Sequence, residues 1–190
     1  MDTDSAKTNR QSLTTKPEAS GGALLEPWLR GTLGEVPSVA RAVLHALELA
    51  SEDVRRWAGA LNDAQLKMRP ASLPSIASQM RHIGRSVDRL LTYAEGGALT
   101  SEQLAALKKE NDENAGRMEL FTEFDESMTQ SMIRVRALSR EDPEQPRFVG
   151  KKRLPSTLGG LLVHVAEHTQ RHVGQLVTTA KIVAARERSE

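Results

Sequence analysis

Apolar side chains recur at spacings of three and four residues along four long stretches of the 190-residue chain. Such spacing places them on one face of an α-helix, and we find no strand signal anywhere. Four long helices of this kind predict an all-α protein, a four-helix bundle. The predicted buried faces are Val39, Val43, Leu47, Ala50, Val54, Trp57 and Leu61; Ile76, Met80, Ile83, Val87, Leu90, Leu91 and Ala94; Phe121, Phe124, Met128, Met132, Val135 and Leu138; and Leu158, Leu161, Val165, His168, His172, Leu176, Thr179 and Val183.

Proline, serine and glycine mark the boundaries of these helices. The second helix is predicted to open at residues 73–75, Leu-Pro-Ser, and to stop at the glycine pair 96–97. The fourth is predicted to open at the same tripeptide in residues 154–156. Residues 141–153, with two prolines and a glycine, are predicted to form a loop.

The connection between the second and third helices is long and carries a short helix of its own. Thr100 and Gln103 have the spacing of a capping box. This pair predicts a helix from residue 101 to about residue 110.

The start of the chain differs in composition from the rest. Residues 1–23 are rich in small polar residues and predict a flexible tail, so residues 24–190 are predicted to form one domain. No secretory signal and no apolar run near the ~20 residues of a membrane span is found, and we expect a cytoplasmic protein. A short apolar lead-in is expected to pack across the outside or end of the bundle: Leu24, Leu25, Trp28 and Leu29.

Charge and cysteine content narrow the classes of function. The 26 basic and 25 acidic side chains leave a net charge of +1, which gives no reason to expect nucleic acid or an anionic membrane as partner. The absence of cysteine excludes disulfides, thiolate nucleophiles and Cys-type metal sites. Sulfur chemistry would need a thiol from outside, and we expect a small-molecule substrate.

Three of the five histidines lie four residues apart on the predicted fourth helix: His164, His168 and His172. Side chains at this spacing lie one above the other, roughly 6 Å apart. His168 and His172 occupy apolar-face positions, where two unpaired imidazoles would be costly to bury. One divalent metal ion shared between them would satisfy both. His45 lies off the apolar face and is predicted to be solvent-facing or locally hydrogen-bonded.

His82 is the candidate third ligand, on the second helix. It lies between the apolar face and a predicted solvated face of Arg81, Arg85 and Asp88. Three protein ligands with one open position are typical of a catalytic metal site. His164 competes for this role, but successive positions rotate by about 40°, which takes it outside a compact group. We expect His164 in the second shell or in the pocket.

Neutral polar residues near these histidines have two interpretations. Gln79, Tyr93 and Gln175 either orient a substrate or form hydrogen bonds to a ligand histidine. Glu167 points about 100° away from His168 in a helix and is expected to be solvated or ion-paired. Arg171 is predicted to lie on the surface, and no general base is evident.

The motifs around these histidines resemble those of the DinB-like (YfiT-like) superfamily. The resemblance rests on a lone histidine in residues 79–91, on the H-x-x-x-H and following Gly-Gln of residues 168–176, and on helix order. It covers about residues 36–183.

The resemblance implies a bundle of up-down-down-up topology, with a long crossover between the second and third helices. It also implies a divalent metal, nickel or zinc, held by His82, His168 and His172, and a homodimer. Characterised relatives include enzymes that use low-molecular-weight thiols, such as bacillithiol transferases and mycothiol-dependent isomerases. The resemblance therefore predicts a thiol-dependent transferase or a hydrolase that acts through a metal-activated water or thiol.

Two alternatives from other classes stay open. The first is a non-catalytic dimeric bundle that binds a small molecule or protein partner, with metal incidental or absent. The second is a stress-response protein that binds a partner through the exposed face of the first helix or the tail.

Overall fold

The computed structural model describes residues 25–109 and 115–187. The described chain is mostly helical, which confirms the all-α prediction, but it also contains one small two-stranded sheet. The predicted tail, residues 1–23, lies outside the described residues, as does Leu24. The elements are α1 Ser38–Ala58, α2 Asp63–Lys67, α3 Ile76–Ala94, α4 Ser101–Lys108, α5 Arg117–Leu138, β1 Pro146–Val149, β2 Leu154–Thr157 and α6 Leu158–Glu187, with short 3-10 turns at Pro27–Leu29 and Pro70–Ser72.

The four long helices surround one apolar core. Helix α1 packs against α5 and α6, and α3 packs against the same two helices. Leu47, Ile83, Met128 and Leu176, one from each long helix, are at most 1% exposed. The predicted apolar faces are largely the buried faces, but Leu61 lies beyond the end of α1, and His168 and His172 are only partly buried. Some of their residues pack on the edge of the core and are only partly buried: Val39, Trp57, Leu90, Phe121 and Met132.

Polar contacts show which ends of neighbouring helices lie together. The last part of α1 meets the first half of α5 through an ion pair of 2.8 Å between Arg55 and Asp125. Near the middle of α1, the Ala46 carbonyl accepts a hydrogen bond of 2.7 Å from Gln170 of α6. Further along the same two helices, Lys181 lies over the ring of Trp57. These contacts fix how far α5 and α6 are displaced along α1.

The charged face of α3 is covered by α5, so its predicted exposure to solvent is wrong. Arg81 is only 9% exposed, and its Nε lies 3.1 Å from Glu123 of α5. Arg85 reaches the same carboxylate at 3.0 Å, and Asp88 pairs with Arg134 at 2.6 Å. The periodicity of α3 cannot distinguish solvent from a charged partner helix, because the neutralising charges lie 40 or so positions later.

Replacement of Glu123 by alanine is expected to destabilise the fold. The variant removes the carboxylate that two arginines of α3 share. Because Glu123 is itself 36% exposed, we expect a loss of about 1–2 kcal/mol, below that of a fully buried pair. The free energy of unfolding in urea measures it. The matched control Glu126→Ala, at an exposed position of the same helix, should change it by less than about 0.5 kcal/mol.

The segment before α6 is a hairpin, which corrects two predictions. Residues 141–153 are not a loop throughout, and α6 begins at Leu158 rather than at residue 154. Strands β1 and β2 pair antiparallel, with Phe148 opposite Pro155. Gly150 adopts a φ of +69° in the turn between them. The Leu-Pro-Ser tripeptide that predicted a helix start is equally compatible with a short edge strand. Proline has no backbone N–H, and an edge strand tolerates this because one of its sides has no partner strand.

Arg147 fixes this hairpin against the end of α3. Its side chain is 7% exposed, and its Nε donates to the backbone carbonyl of Ala94 in the last turn of α3. Its Nη2 donates to Glu141 at 2.8 Å. Helix α3 ends there because Gly96, at φ +80°, leaves the helical conformation. The glycine stop predicted for this helix is confirmed.

The N-terminal cap of α4 is the one that the sequence predicts. The Thr100 hydroxyl accepts from the Gln103 backbone, and the Gln103 side chain accepts from the Thr100 backbone, which confirms the predicted capping box. At α6 the cap is Thr157, whose Oγ1 accepts from Gly160 N at 3.1 Å. This cap lies at the junction of β2 and α6.

The segment before α1 packs over part of that helix. It buries His45 to 7% exposure, and His45 Nε2 lies 3.1 Å from Thr32 Oγ1. Of the two alternatives predicted for His45, exposure to solvent is wrong, and the ring is hydrogen-bonded instead. Leu25, Trp28 and Leu29 lie beside α1 but stay between 50% and 61% exposed. None of the helices in the described residues is both long and apolar enough to span a membrane.

Candidate metal centre

Three histidines from two helices converge on one point. His82 comes from α3, and His168 and His172 come from α6. Each offers one ring nitrogen, and these three atoms all lie within 4.8 Å of one another. The ring centroid of His172 is 4.4 Å from that of His82 and 4.5 Å from that of His168. The three side chains are half-buried, so the group is reachable from solvent.

The distance between His82 and His168 suits a shared ion. Their Nε2 atoms are 3.2 Å apart. Two nitrogens bound tetrahedrally at about 2.0–2.1 Å from one ion lie roughly 3.3 Å apart. The same distance is a hydrogen bond when one ring donates its N–H to the other. The pair is thus arranged for either a proton or a metal ion between the two lone pairs.

A hydrogen bond with a neighbouring glutamine favours one tautomer of His172. His172 Nδ1 lies 2.9 Å from Gln175 Oε1. An amide oxygen only accepts, so Nδ1 carries the proton and the Nε2 lone pair is the one that can bind an ion. A hydrogen bond of this kind orients a ligand ring and raises its basicity. Of the two interpretations of Gln175, the structure places it on a histidine.

His168 is neutral at pH 7. Burial lowers its pKa to about 4, with help from the neighbouring His172 and His82. A neutral imidazole has a lone pair to donate, whereas a protonated one has none. The environment therefore favours the form of His168 that binds a cation at an imidazole nitrogen.

His164 lies beside the group but outside it. Its ring centroid is 5.5 Å from that of His168, and its side chain is 44% exposed. Its Nδ1 lies 3.2 Å from Glu167, a hydrogen bond that lowers the pKa of that carboxyl. Glu167 also pairs with Arg171 on the surface. The predicted ion pairing of Glu167 is confirmed, and so is the surface position of Arg171.

Gln79 and Tyr93 lie in different surroundings. Gln79 is 3% exposed, one turn before His82, and its Nε2 lies 3.3 Å from Thr179 Oγ1 of α6. Tyr93 lies three turns beyond His82 and lines a separate cleft of about 390 Å³, which it shares with Phe148 of the hairpin. The sequence predicts Thr179 only as a core position. Its hydroxyl, between apolar neighbours in the predicted series, is the sequence signal for a polar role.

Comparison with known proteins settles the family. The sequence model of the DinB superfamily matches residues 46–176. The chain belongs to the DinB superfamily. This match includes all three histidines of the group and Gln175, whereas Thr179 lies just beyond it. No curated protein matches the chain in sequence. DinB-superfamily proteins are associated with metals, and the histidine group found here could hold an ion.

Proposed function

We propose that this DinB-superfamily protein is a metal-dependent enzyme in which His82, His168 and His172 hold one divalent ion, nickel or zinc. The observation that carries the proposal is the convergence of three imidazole nitrogens within 4.8 Å. Three neutral ligands leave the charge of the ion undiminished and one coordination position open. A divalent ion held by these histidines would supply a nucleophile near neutral pH, because it would lower the pKa of a bound water or thiol.

The side chains around this position bind and orient rather than transfer protons. Gln175 keeps the His172 ring in one tautomer. Burial lowers the pKa of His168 to about 4 and so keeps the ring neutral at pH 7. The possible metal ligands among the described residues are all histidines, and in this proposal the proton released by a nucleophile passes to solvent or buffer.

We propose that the long helices form a four-helix bundle of up-down-down-up topology. The pair Arg55–Asp125 joins the end of α1 to the first part of α5, which supports opposite directions for these helices. Gln79 at the start of α3 contacts Thr179 in the last part of α6, which supports the same for that pair. The contacts of α1 with α6 progress along both helices in the same direction. This arrangement brings helices α3 and α6 side by side, as the histidine group requires.

The reaction proposed is thiol transfer to an electrophile, with hydrolysis as the second branch. In the transfer, the thiol sulfur forms a bond to carbon, the halide leaves with its bonding pair, and the thiol proton goes to buffer. Nickel- or zinc-loaded protein should accelerate the reaction of a small thiol with a chlorodinitrobenzene, followed by absorbance. His172→Ala should lower the enzyme-dependent rate at least roughly 100-fold, since one of three ligands is lost.

The control for this assay is His45→Ala, which removes a histidine remote in sequence from the group. Its enzyme-dependent rate should stay within about twofold of the wild type. If several electrophiles show no thiol dependence, an ester panel without thiol tests the hydrolytic branch. Absence of activity in both panels from fully loaded protein would contradict an enzyme and favour the non-catalytic bundle. The homodimer, the small-molecule substrate and the cytoplasmic location stay predictions.

A further inference from the structure

The cleft between the end of α3 and the hairpin is separate from the histidine group. Its volume of about 390 Å³ is that of a site for a small molecule. Positions 82 and 93 of α3 are 11 residues apart, so at 1.5 Å per residue Tyr93 lies about 16 Å along the helix from His82. We call this space the hairpin cleft, and the residues that define its chemistry are Tyr93, Leu104, Phe148, Lys151 and Arg153.

The hairpin cleft has a wall of large apolar side chains that a ligand can reach. Phe148 of β1 and Leu104 of α4 line it and are each 42% exposed. Tyr93 is partly buried against the core, and its hydroxyl has no hydrogen-bond partner among the described residues. The hydroxyl is accessible, because the enclosed and unpaired side-chain atoms of the described chain belong to Gln79 and Thr169. Two aromatic rings in one cleft suit the flat body of an aromatic ligand.

The turn of the hairpin brings two cations to the same cleft. Lys151 and Arg153 line it, whereas Lys152 between them does not. Among the described residues, neither Lys151 nor Arg153 has an acidic partner. Arg147 also lines the cleft, but it is paired with Glu141 at 2.8 Å. Two positive charges of the cleft are therefore without a fixed counter-charge.

The backbone of the turn and an aromatic ring hold Arg153 in place. Its φ is +48°, a conformation that is uncommon for residues other than glycine. Its backbone N–H donates to the Gly150 carbonyl at 3.0 Å, which closes the turn. Its guanidinium carbon lies 4.3 Å from the centre of the Phe148 ring. A cation–π contact uses no hydrogen bond, so guanidinium N–H groups remain for an acceptor beside the ring.

The charges of the hairpin cleft determine the class of ligand that it favours. No carboxylate side chain is found among the described residues that line it. An ammonium group would therefore meet two cations and no anion. A carboxylate can accept two parallel hydrogen bonds from the guanidinium of Arg153 and is attracted by Lys151 as well. The lining thus favours an anionic group on a flat apolar body.

We propose that the hairpin cleft is a binding site for a small aromatic carboxylate. The ring of the ligand packs against Phe148 and Leu104, and its carboxylate binds to Arg153 and Lys151. This site is additional to the proposed metal site and uses none of its histidines. The two proposals therefore stand or fall separately.

Three probes test this class of ligand: 2-naphthoate, 2-naphthamide and acetate. The amide keeps the flat body without the charge, and acetate keeps the charge without the flat body. Amide chemical shifts of ¹⁵N-labelled full-length protein at low salt give both the affinity and the location of binding. Naphthoate should bind with a Kd on the order of 1 mM, as expected for a ligand of its size. The amide and acetate should each bind at least about tenfold more weakly.

Variants distinguish the cleft from a general attraction to positive charge. Arg153→Gln should weaken naphthoate about tenfold, the effect of losing a charge-assisted hydrogen bond. Lys151→Gln should weaken it about fivefold, the upper range for an exposed ion pair. Lys152→Gln is the matched control, because it removes the same charge from the same turn but not from the lining. It should change the affinity less than about twofold.

The possible results separate this site from its alternatives. Equal affinities for naphthoate and naphthamide overturn an anion site. Shift changes located outside residues 93–99, 104 and 147–153, or equal losses in Arg153→Gln and Lys152→Gln, overturn the hairpin cleft as its place. Absence of naphthoate binding, with a sedimentation coefficient that rises with protein concentration, overturns a small-molecule site in favour of an interface between copies. Binding that Arg153→Gln weakens supports the proposal even in protein that binds no metal.

Discussion

Tag-free protein stripped with a chelator is expected to bind one Ni²⁺ or Zn²⁺ per chain. His82→Ala or His172→Ala should weaken this binding at least roughly 100-fold, because two imidazoles hold an ion far less well than three. Titration calorimetry gives the affinity, and elemental analysis of dialysed protein gives the number of ions. The far-ultraviolet circular dichroism should persist in both variants, since neither histidine is part of the apolar core.

Other histidine and glutamine variants serve as graded controls. His164→Ala should retain the wild-type number of ions, because His164 lies outside the group of three. Gln175→Ala should lower the affinity about tenfold, since it leaves the ligands in place and removes only the bond to His172 Nδ1. Protein that binds no nickel, zinc or manganese when these are offered would refute the metal site and the enzyme proposed from it.

Gly84→Leu is expected to lower the free energy of unfolding by about 3 kcal/mol, the upper end for an overpacked core. Helix α3 approaches α5 closely at this glycine. A Cβ atom there would lie 2.9 Å from Ser127 Oγ and 3.1 Å from Ser127 Cβ. A leucine needs more room still, so the two helices would have to separate or their side chains would have to leave favoured rotamers.

The same substitution at Gly174 is the matched control for this stability measurement. Both glycines lie inside long helices, but the space around Gly174 is open. Gly174→Leu should therefore be neutral, or stabilising by up to about 1 kcal/mol through helix propensity. Urea unfolding of both variants measures the difference. Equal stabilities of the two variants would contradict the close contact between α3 and α5.

The apolar faces of the long helices are predictable because each is a local, repeated pattern. The second face places Ile76, Met80, Ile83 and Val87 at spacings of three and four, and all four are buried. The surroundings of the polar residues depend instead on distant parts of the chain. The partner of Arg81 is Glu123, on a different helix, and no periodicity within α3 identifies it.

The hairpin could not be predicted from the sequence for a similar reason. Two strands of four residues contain too few positions for an alternating pattern, and Pro146 and Pro155 favour a loop by composition. What stabilises the hairpin is mainly tertiary. Arg147 binds to the end of α3, more than 50 positions earlier.

In the candidate site, too, the sequence identifies some residues but not all of their contacts. His168 and His172 stand out because they interrupt an apolar series, and the i, i+3 spacing brings Gln175 to His172. The contact of Gln79 with Thr179 could not be predicted. It depends on how far α3 is displaced along α6, and this displacement is set by the packing of both helices.

The hairpin determines which changes of chain length the proposed metal site can tolerate. Strand β2 passes directly into α6 at Leu158, and β1 is bound to the end of α3 through Arg147. A residue inserted at the junction of β2 and α6 would turn the whole of α6 by about 100° and carry His168 and His172 away from His82. An insertion in the turn at Gly150 would leave that rotation unchanged. Length variation among related chains should therefore concentrate in the turn and avoid the junction.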